Sequence, residues 1–530
     1  MVLLNRISGL ERDSGYYLMI FLPRYVLNGD RLRFFIKNSA KILSLILFCI
    51  AASPSIASEA IITLDDRIQI FEAWMETTRQ TKSLPGISVG IVHKNKLVYA
   101  NGFGEADLTS GAPITPDSLF AVASITKPFT SIAIMQLVQE GIVDLNEPIV
   151  GVIPELYNLN SPNEQIEKIN LFTLLTHTSG LPSNHVYPIN QSSPVIVKLD
   201  RLLSGLETQK LLFPPNTREH YSNLGLNIAG IVLERLTGMS YSDYVQQKVL
   251  SPIGMNNSTF STELSGDLVT GYTRLLDAGR QPNTLPEIGA AIGLPSAGLR
   301  TSVNDLAQFL IWNFSTLKGQ DHLVLDLDTL SYMQRIHWAQ LEIVLPSFLQ
   351  GAVNTLSNSL DIGGVGLGFF RQGNLVMHSG GFDGYLSEIV IDRENEIGVI
   401  VLANSSDAPV SFNSQHSIST NLLEIIAPGF TVNEAEQIGE YSDYRNIYTE
   451  NNFFKYIAIP RQEGIDLYDL LSPNPMTSPV KLIPTNKKDR FIAPEHKGVY
   501  QREFEVLFLR DLNDQVTSMQ LQVVTLNATL

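Results

Sequence analysis

Apolar residues recur at helical spacing in four long stretches of the chain, which predicts four helices. The stretches cover residues 64–80, 127–140, 223–236 and 418–426. The second stretch is apolar on nearly every face, carries Pro128 in its first turn and ends at Gly141, so we expect a buried helix there. Shorter β-rich runs predict strands over residues 88–92, 96–100, 386–391 and 397–402.

The composition changes after Gly429, where tyrosine, phenylalanine and charged residues become more frequent. Short strand-like runs follow over residues 453–459, 480–483, 506–509 and 520–524. We therefore predict a targeting segment over residues 1–57, a main domain over 58–429 and a small β-rich domain over 430–530. The candidate catalytic residues all precede Gly429, so we expect a chain that ends there to fold and to remain active.

The N-terminal segment has the pattern of an export signal. A basic stretch precedes an apolar run over residues 42–52, which is shorter than the ~20 residues needed to span a bilayer. Small residues at Ser55 and Ala57 predict cleavage before Ser58. We expect an exported protein, periplasmic or secreted, without a stable membrane span in the mature chain. An uncleaved anchor and a true start at Met19 are the alternatives.

Charge and rare residues argue against several classes of function. The net charge of −16 makes nucleic acid an unfavourable partner, because an acidic surface repels the phosphate backbone. The single cysteine, Cys49, lies in the predicted signal, so we expect neither a disulfide nor a thiol nucleophile in the mature chain. The nine histidines are scattered and form no metal-binding motif, so we expect no catalytic metal and no cofactor. The expected partner is a small-molecule or peptide substrate.

A serine followed three residues later by a lysine can form a nucleophile–base pair. The two side chains lie on one face across a helical turn, and burial lowers the lysine pKa so that the amine can accept the serine proton. The chain has three such pairs: Ser124 with Lys127, Ser315 with Lys318, and Ser478 with Lys481. Ser478 precedes a proline and Lys318 precedes a polar loop, whereas Ser124 opens the long apolar helix. Ser124 is therefore the candidate nucleophile and Lys127 its base.

Two further short motifs follow along the chain. Tyr221 and Asn223 stand at the start of a predicted helix, where a phenol could transfer a proton and an amide could hold a substrate carbonyl. Taken alone, this motif is better explained by a core tyrosine and a helix-cap asparagine, because residues 444–446 match it equally well. The run His378-Ser379-Gly380-Gly381 precedes the predicted strand pair, and its glycines would let a substrate backbone approach a strand edge. A plain strand entry with a turn is the alternative.

The order of these motifs resembles the serine β-lactamase and penicillin-binding-protein superfamily, and within it the class C-type branch with D-peptidase and esterase relatives. Further matching blocks stand at residues 120–124, 174–181, 295–299, 305–307 and 380–385. The resemblance covers residues 60–428. It implies an α/β fold, with an antiparallel sheet flanked by helices and an inserted helical subdomain, followed by a small C-terminal β-rich domain.

The resemblance also implies roles for the matching residues. Ser124 would form the acyl-enzyme, and Lys127 would activate it with help from Tyr221. Asn223 would contact the substrate amide, and the backbone N–H groups of Ser124 and Gly381 would form the oxyanion hole. The substrate-binding strand segment would comprise His378, Ser379, Gly380 and Gly381.

His378 departs from the family pattern, in which lysine is frequent at this position. An imidazole titrates near ~6.5, so we expect His378 to hold an anionic substrate group better below neutral pH. Without a fixed ammonium, hydrolysis of β-lactams is disfavoured. The expected function is hydrolysis of esters, or of amides and peptides that contain D-amino acids, through an acyl-enzyme.

Two alternatives compete with this interpretation. The first is a catalytically silent relative that binds peptidoglycan or a protein partner through the same cleft. The second is an α/β-hydrolase, because Gly86-Ile87-Ser88-Val89-Gly90 matches the nucleophile-elbow pattern. That elbow requires a strand, a sharp turn and a helix, whereas the apolar run here continues beyond Gly90, so we interpret Ser88 as a strand residue.

Overall fold

The computed structural model describes residues 62–184, 199–261, 268–275, 279–282, 293–339, 363–411, 417–431, 441–450, 454–477, 479–493, 504–521 and 524–528. The part of the chain from Ile62 onward is one compact unit. The predicted export signal and Ser478 lie outside the described residues. Within the described ranges, no helix combines the length and apolarity that crossing a membrane requires.

Long helices occur at all four predicted stretches, and the described residues form a fifth. The five are α1 (Leu64–Thr81), α2 (Thr126–Gln139), α3 (Asn223–Thr237), α4 (Val303–Leu317) and α5 (Ile418–Ile426). Only α4 lies outside the predicted stretches, although the Ser302 side chain caps its first turn by accepting from the Asp305 N–H. Shorter helices cover Asn163–Ile166, Leu171–Leu175, Tyr241–Val245, Ser251–Ile253, Leu294–Ala297 and Leu327–Met333.

Strands before residue 430 comprise one large sheet and two small pairs. They are β1 (Gly86–His93), β2 (Lys96–Asp107), β3 (Ala112–Pro113), β4 (Phe120–Ala121), β5 (Tyr272–Leu275), β6 (Gly279–Pro282), β7 (Arg300–Thr301), β8 (Trp338–Ala339), β9 (Gly363–Val365), β10 (Phe370–Gln372), β11 (Leu375–Phe382), β12 (Tyr385–Asp392) and β13 (Ile397–Ala403). The large sheet is antiparallel and has the order β3-β2-β1-β13-β12-β11-β10-β9-β8. The remaining strands pair as β4 with β7 and β5 with β6.

The centre of the large sheet joins the two ends of the main domain. β1 pairs with β13 from Ile87 opposite Ala403 to His93 opposite Ile397. Both strands are buried almost throughout, so their sequences are continuous apolar runs rather than alternations of apolar and polar residues. The predicted α/β architecture, an antiparallel sheet flanked by helices, is confirmed.

Helices cover both faces of this sheet. On one face, α2, α3 and α4 contribute Phe129, Leu226 and Phe309 to the largest apolar core. On the other face, α1 and α5 pack as a pair, with Trp74 and Ile425 in a second core. Ser124 lies in the turn that leads directly into α2, one of the helices of the first face.

The C-terminal strands form a closed antiparallel barrel. They are β14 (Asn446–Glu450), β15 (Phe454–Arg461), β16 (Gly464–Asp469), β17 (Val480–Pro484), β18 (Arg490–Ala493), β19 (Phe504–Arg510), β20 (Val516–Leu521) and β21 (Val524–Ala528). Aromatic side chains, among them Tyr448, Phe491 and Phe508, fill its core. The predicted strand over residues 520–524 is wrong, because β20 ends at Leu521 and the chain reverses into β21 at Val524.

The barrel shares a core with the main domain. Ile457, Ile459 and Tyr468 of the barrel belong to the apolar cluster of α1 and α5. At its edge Asp66 of α1 accepts from Arg445 at 2.7 Å and from Arg461 at 2.9 Å. Burial would raise the pKa of Asp66, but the hydrogen bonds and charges of the two arginines outweigh it and lower that pKa. The contact between barrel and domain is therefore both apolar and ionic.

Candidate active site

A strained turn presents Ser124. The residue lies in the 3-10 turn Ala123–Ile125 that leads into α2, and the preceding Ala123 has a left-handed φ of 46°. Such a conformation is costly for a non-glycine residue and persists only where neighbouring contacts impose it. Thr126 imposes it here, since its hydroxyl donates to the Ala123 carbonyl at 2.6 Å and accepts from the Leu299 N–H at 3.0 Å.

Lys127 is completely buried beside Ser124. Its Nζ lies 2.9 Å from Ser124 Oγ and donates to the Ser296 carbonyl at 2.8 Å. Burial is the cause that lowers the pKa of Lys127 well below its usual value. A lower pKa makes it easier for this amine to lose its proton, and the deprotonated amine has a lone pair that can take the Ser124 proton.

Tyr221 completes a three-residue cluster with Ser124 and Lys127. Its hydroxyl is hydrogen-bonded to Ser124, and its ring centre lies 4.8 Å from Lys127 Nζ. Burial raises the pKa of Tyr221 to about 12, although the hydrogen bond to Ser124 acts in the opposite direction. The phenol therefore keeps its proton near neutral pH, while the neighbouring amine tends to lose its own. Because the pKa of Tyr221 is raised and that of Lys127 is lowered, Tyr221 is suited to act as the acid and Lys127 as the base.

Strand β11 approaches the nucleophile turn at Gly380. A Cβ atom there would lie 2.1 Å from the Val122 carbonyl oxygen and 3.1 Å from the Ser124 backbone nitrogen. Gly380 is therefore required for contact within the protein itself, and not only for the approach of a substrate as the sequence suggested. Ser387 on β12 supports the same point by donating its hydroxyl to the Val122 carbonyl at 2.9 Å.

Gly381 lies on an open strand edge. β10 pairs with β11 only as far as Phe370 opposite Met377, so in the described parts of the chain no strand pairs with the outer side of residues 379–382. The hairpin closes with Phe382 opposite Tyr385, and pairs alternate between hydrogen-bonded and free along an antiparallel ladder. By this alternation the Gly381 N–H points away from β12. It is thus available to form an oxyanion hole with the Ser124 N–H.

The expectation that His378 charges near pH 6.5 is contradicted. The side chain is 2 % exposed, and burial together with the charge of Lys127 lowers its pKa to about 3. Its Nδ1 donates to the Ser379 carbonyl at 2.7 Å, so Nε2 carries a lone pair and no proton. Nε2 is buried, and none of the described residues forms a hydrogen bond with it. His378 therefore offers a neutral acceptor where related sequences frequently have an ammonium.

Asn223 is the first residue of α3, and Ser222, not Asn223, provides the helix cap. The Asn223 Nδ2 donates to Asn184 at 2.8 Å, while its Oδ1 is buried and accepts no hydrogen bond from the part of the chain that the structure describes. An unpaired amide oxygen is costly to bury, and a substrate N–H would satisfy it. Ser379 is exposed on the open edge of β11. The substrate-binding roles of both residues stay predictions.

A family profile described as Beta-lactamase matches residues 71–417 of this chain. The match includes the nucleophile turn, the Tyr221 segment and β11. This protein belongs to the beta-lactamase family. The family profile and the fold together place it among the β-lactamase-fold serine hydrolases.

Named relatives of this beta-lactamase family member are distant. The protein called flp from Staphylococcus aureus is 26 % identical over 397 residues, which is 73 % of this chain and 72 % of that protein. The octameric penicillin-binding protein homologue from Pyrococcus abyssi has 23 % identity and a TM-score of 0.55, covering 87 % of this chain and 99 % of its own. The D-amino acid amidase from Ochrobactrum anthropi has 23 % identity and a TM-score of 0.54, with 68 % and 97 % covered. The two structures confirm the fold.

His177 is a further residue of the site that the sequence motifs did not single out, although it lies inside a block that matches the family. Its ring packs 4.5 Å from the Tyr221 ring, and its Nδ1 accepts from the Ser222 N–H at 3.1 Å. Burial first, and then the charge of Lys127, lowers the pKa of His177 well below its usual value. His177 has a left-handed φ of 60°, and a sequence pattern does not reveal such a backbone conformation. His177 therefore supports both the ring of Tyr221 and the backbone next to it.

Other candidate motifs lie elsewhere in this family member. Lys318 at the end of α4 forms an ion pair with Glu396, so it is a surface charge and not a base. Ser88 is buried in the middle of β1 and donates to the Thr115 carbonyl at 3.3 Å, which confirms the strand interpretation. Residues 444–446 belong to the barrel segment. In the described parts of the chain, no group of three or more His, Cys, Asp or Glu side chains is placed to hold a metal.

We expect Tyr221→Phe to lower kcat by ~10²–10⁴-fold, the usual range for loss of a general acid–base group. The change removes one hydroxyl and keeps the ring that packs against His177. Steady-state kinetics and thermal unfolding should show lost turnover at an unchanged melting temperature. Unchanged kinetics would show that the phenol serves only packing.

The His177→Asn variant tests whether His177 holds the Tyr221 ring in place. Asparagine tolerates a left-handed φ and keeps an acceptor near Nδ1, but it loses the ring. In the wild-type background we expect a drop in kcat with little change in KM, whereas in the Tyr221→Phe background the same change should add little. Equal losses in both backgrounds would mean that His177 acts independently of the Tyr221 hydroxyl.

Proposed function

We propose that this protein is an exported serine hydrolase, periplasmic or secreted, that forms an acyl-enzyme on Ser124 and acts on esters or D-amino-acid amides. The observation that carries the proposal is the 2.9 Å contact between Ser124 Oγ and the buried amine of Lys127. A serine hydroxyl needs a base within hydrogen-bond reach, and burial makes this amine one.

The geometry supports a sequence of proton transfers. Neutral Lys127 takes the proton of Ser124 as Oγ attacks the substrate carbonyl carbon. The oxygen that becomes negative lies against the N–H groups of Ser124 and Gly381. Tyr221, protonated at neutral pH, donates a proton to the departing alkoxide or amine. Water then hydrolyses the acyl group on Ser124, and the same groups act in reverse.

The state of His378 supports the proposed substrate class. A neutral acceptor does not attract a carboxylate, so a substrate with an ester or a primary amide suits this position better than one with a free acid. The named D-amino acid amidase shares the fold and is consistent with this class, but its low identity does not transfer its substrate.

A serine-directed fluorophosphonate probe tests the proposal. We expect one equivalent of label on the wild-type chain, measured by intact mass, and none on Ser124→Ala. Ser88→Ala is the control, because Ser88 is a buried serine of the same domain that lies in β1. Turnover of p-nitrophenyl esters, D-alanyl amides and nitrocefin then defines the substrate class. Label that survives in Ser124→Ala, or no label on the wild type, would favour a silent binding module or another nucleophile.

The buried state of His378 leads to a pH prediction. Because its folded pKa is about 3, the imidazole stays neutral across about pH 5 to 8, so His378 should not change KM for a carboxylate-bearing substrate in this range. His378→Gln should leave the pH profile of KM unchanged. A wild-type KM that falls below neutral pH only for the anionic substrate, and flattens in His378→Gln, would show that His378 is charged after all.

A further inference from the structure

The short helix Leu294–Ala297 packs against the start of α2, close to the nucleophile. The last carbonyl oxygens of a helix lack intrahelical donors, because no further helical turn follows them. In a continued helix the Leu299 N–H would donate to the Pro295 carbonyl, but here it donates to the Thr126 hydroxyl at 3.0 Å. The carbonyls of Pro295 and Ser296 therefore need donors from outside their own helix.

Two side chains of α2 supply these donors. Thr130 Oγ1 donates to the Pro295 carbonyl at 2.6 Å, and Lys127 Nζ donates to the Ser296 carbonyl at 2.8 Å. Both side chains are completely buried, so water does not compete for either contact. Thr126 and Thr130 lie four residues apart on one face of α2, so together they hold the N–H and the carbonyl at the end of the short helix.

Tyr241 fixes the direction of the Thr130 hydroxyl. The Tyr241 oxygen lies 2.7 Å from Thr130 Oγ1, and both side chains are completely buried. A threonine hydroxyl has one proton, and the 2.6 Å contact assigns it to the Pro295 carbonyl rather than to the Thr126 carbonyl at 3.5 Å. Tyr241 must therefore donate to Thr130. Burial raises the pKa of Tyr241, so the phenol keeps the proton that this hydrogen bond requires.

Gly230 in α3 allows the short helix to pack closely from the other side. A Cβ atom there would lie 2.2 Å from Pro295 Cγ and 3.4 Å from the ring of Tyr241. α3 begins at Asn223, two residues after Tyr221. The short helix is thus held between the helix that carries Lys127 and the helix that follows Tyr221.

We propose that Thr130 and Tyr241 are positioning residues for Lys127, a role that rests on the proposed acyl-enzyme chemistry of Ser124. They hold the end of the short helix, and its Ser296 carbonyl then fixes one N–H of the amine. With that N–H fixed, the lone pair of the deprotonated amine is directed at Ser124 Oγ, which lies 2.9 Å away. Thr130 and Tyr241 act through the backbone of the short helix and not on the substrate.

The Thr130→Val variant of the full chain tests this role, because valine keeps the shape of threonine and removes the hydroxyl. The readout is the second-order rate constant for labelling Ser124 with a fluorophosphonate, which does not require the natural substrate. We expect this rate constant to fall by ~10–100-fold, the scale of a misplaced catalytic group. Thr130→Ser keeps the hydroxyl and should label at close to the wild-type rate.

Tyr241→Phe removes only the hydroxyl that orients Thr130, so we expect a smaller loss of labelling rate than in Thr130→Val. The two changes combined should be little worse than Thr130→Val alone, because both act through one carbonyl. Tyr448→Phe is the matched control. Tyr448 is equally buried, but its hydroxyl donates to the Tyr444 carbonyl in the barrel, so this variant should label at the wild-type rate.

The pH dependence of labelling distinguishes positioning from a general loss of stability. A carbonyl that accepts from an amine favours the charged amine, so a weakened Ser296 contact should lower the pKa of Lys127 further. The labelling rate should therefore begin to rise at a lower pH in Thr130→Val than in the wild type. In the described part of the chain, the titratable side chains that face the amine each keep one protonation state near neutral pH: His177, His378 and Tyr221.

The possible failures of this inference and of the proposed function are distinguishable. A Thr130→Val variant with the wild-type rate and pH profile would overturn the positioning role and leave the chemistry of Ser124 intact. Slow labelling with an unshifted pH profile would also overturn it, since only folding would then be affected. If Thr130→Val does not fold, Tyr241→Phe decides by the same two measurements. A wild-type chain that takes no label would instead overturn the proposed function itself.

Discussion

Lys127→Met is expected to lower kcat/KM by roughly 10⁴–10⁶-fold, the scale seen when a nucleophile loses its base. Methionine fills a similar volume but has no lone pair basic enough to take the Ser124 proton. The folded state should lose little stability or gain some, because a buried amine is replaced by an apolar group. Turnover, probe labelling and thermal unfolding measured on one preparation separate this outcome from a folding defect.

The pH dependence of stability gives a second readout of the same residue. In the unfolded chain the Lys127 amine is protonated up to about pH 10.5, whereas in the folded protein it loses its proton at a lower pH. Between the two pKa values the unfolded chain binds more protons, so the free energy of unfolding rises with pH across this interval. Lys127→Met should reduce that slope. A variant whose slope matches the wild type would mean that the folded amine titrates normally.

Lys318→Met is the matched control, since Lys318 belongs to another serine–lysine pair but forms a surface ion pair with Glu396. It should retain wild-type turnover and labelling. Loss of activity in Lys318→Met, or normal activity in Lys127→Met, would contradict the assignment of the base.

A chain that ends at Gly429 is expected to be insoluble or to lose cooperative unfolding, contrary to what the sequence suggested. Such a chain lacks the barrel residues that share the core of α1 and α5. It also loses Phe430, which stacks on His93 at 4.4 Å, and leaves the Asp66 carboxylate without Arg445 and Arg461. Each large side chain that becomes exposed costs about 1.5–3 kcal/mol, so a few suffice to offset a typical stability of ~5–15 kcal/mol.

Two hydrogen bonds between the main domain and the barrel segment also indicate that the shortened chain would be unstable. Trp74 Nε1 donates to the Ser472 carbonyl at 3.1 Å, and Asn421 Nδ2 donates to the Pro473 carbonyl at 2.8 Å. Both donors are buried or nearly so, and the shortened chain would leave them unpaired. A soluble chain ending at Gly429 that labels at the wild-type rate would show that the barrel is dispensable.

A point substitution tests the contact without removing the barrel. Asp66→Ala in the full chain leaves Arg461 buried without that partner and should cost about 3–5 kcal/mol of unfolding free energy. Lys488→Ala breaks an exposed ion pair with Asp514 in the barrel and should cost less than about 1 kcal/mol. Denaturant unfolding of the two variants compares the contact with an ordinary surface pair.

The sequence predicted those parts of the structure that depend on local pattern. α2 was predictable because its apolar residues surround it and Pro128 occupies its first turn. The same all-round apolarity implied that Lys127 would be buried, and its all-buried surroundings are the cause of its lowered pKa. The placement of Ser124, Lys127 and Tyr221 in one cluster followed from motif order and family resemblance.

Features that depend on distant contacts could not be predicted in this way. His378 is buried partly by Phe370, which belongs to a strand of only three residues and gives no periodic signal. Asp66 and Arg461 lie 395 positions apart in the chain, so nothing near either residue indicates their ion pair.

The pairing of β1 with β13 constrains how the polypeptide can be made and folded. β1 is synthesised roughly 300 residues before its central neighbour, and this long separation predicts slow closure of the sheet. At ~5–20 residues per second, the ribosome needs roughly 15–60 s to supply that neighbour. During this interval one edge of an almost wholly apolar strand stays unpaired. We therefore expect the nascent chain to be kept unfolded, for example by a holding chaperone, until Ala403 has been synthesised.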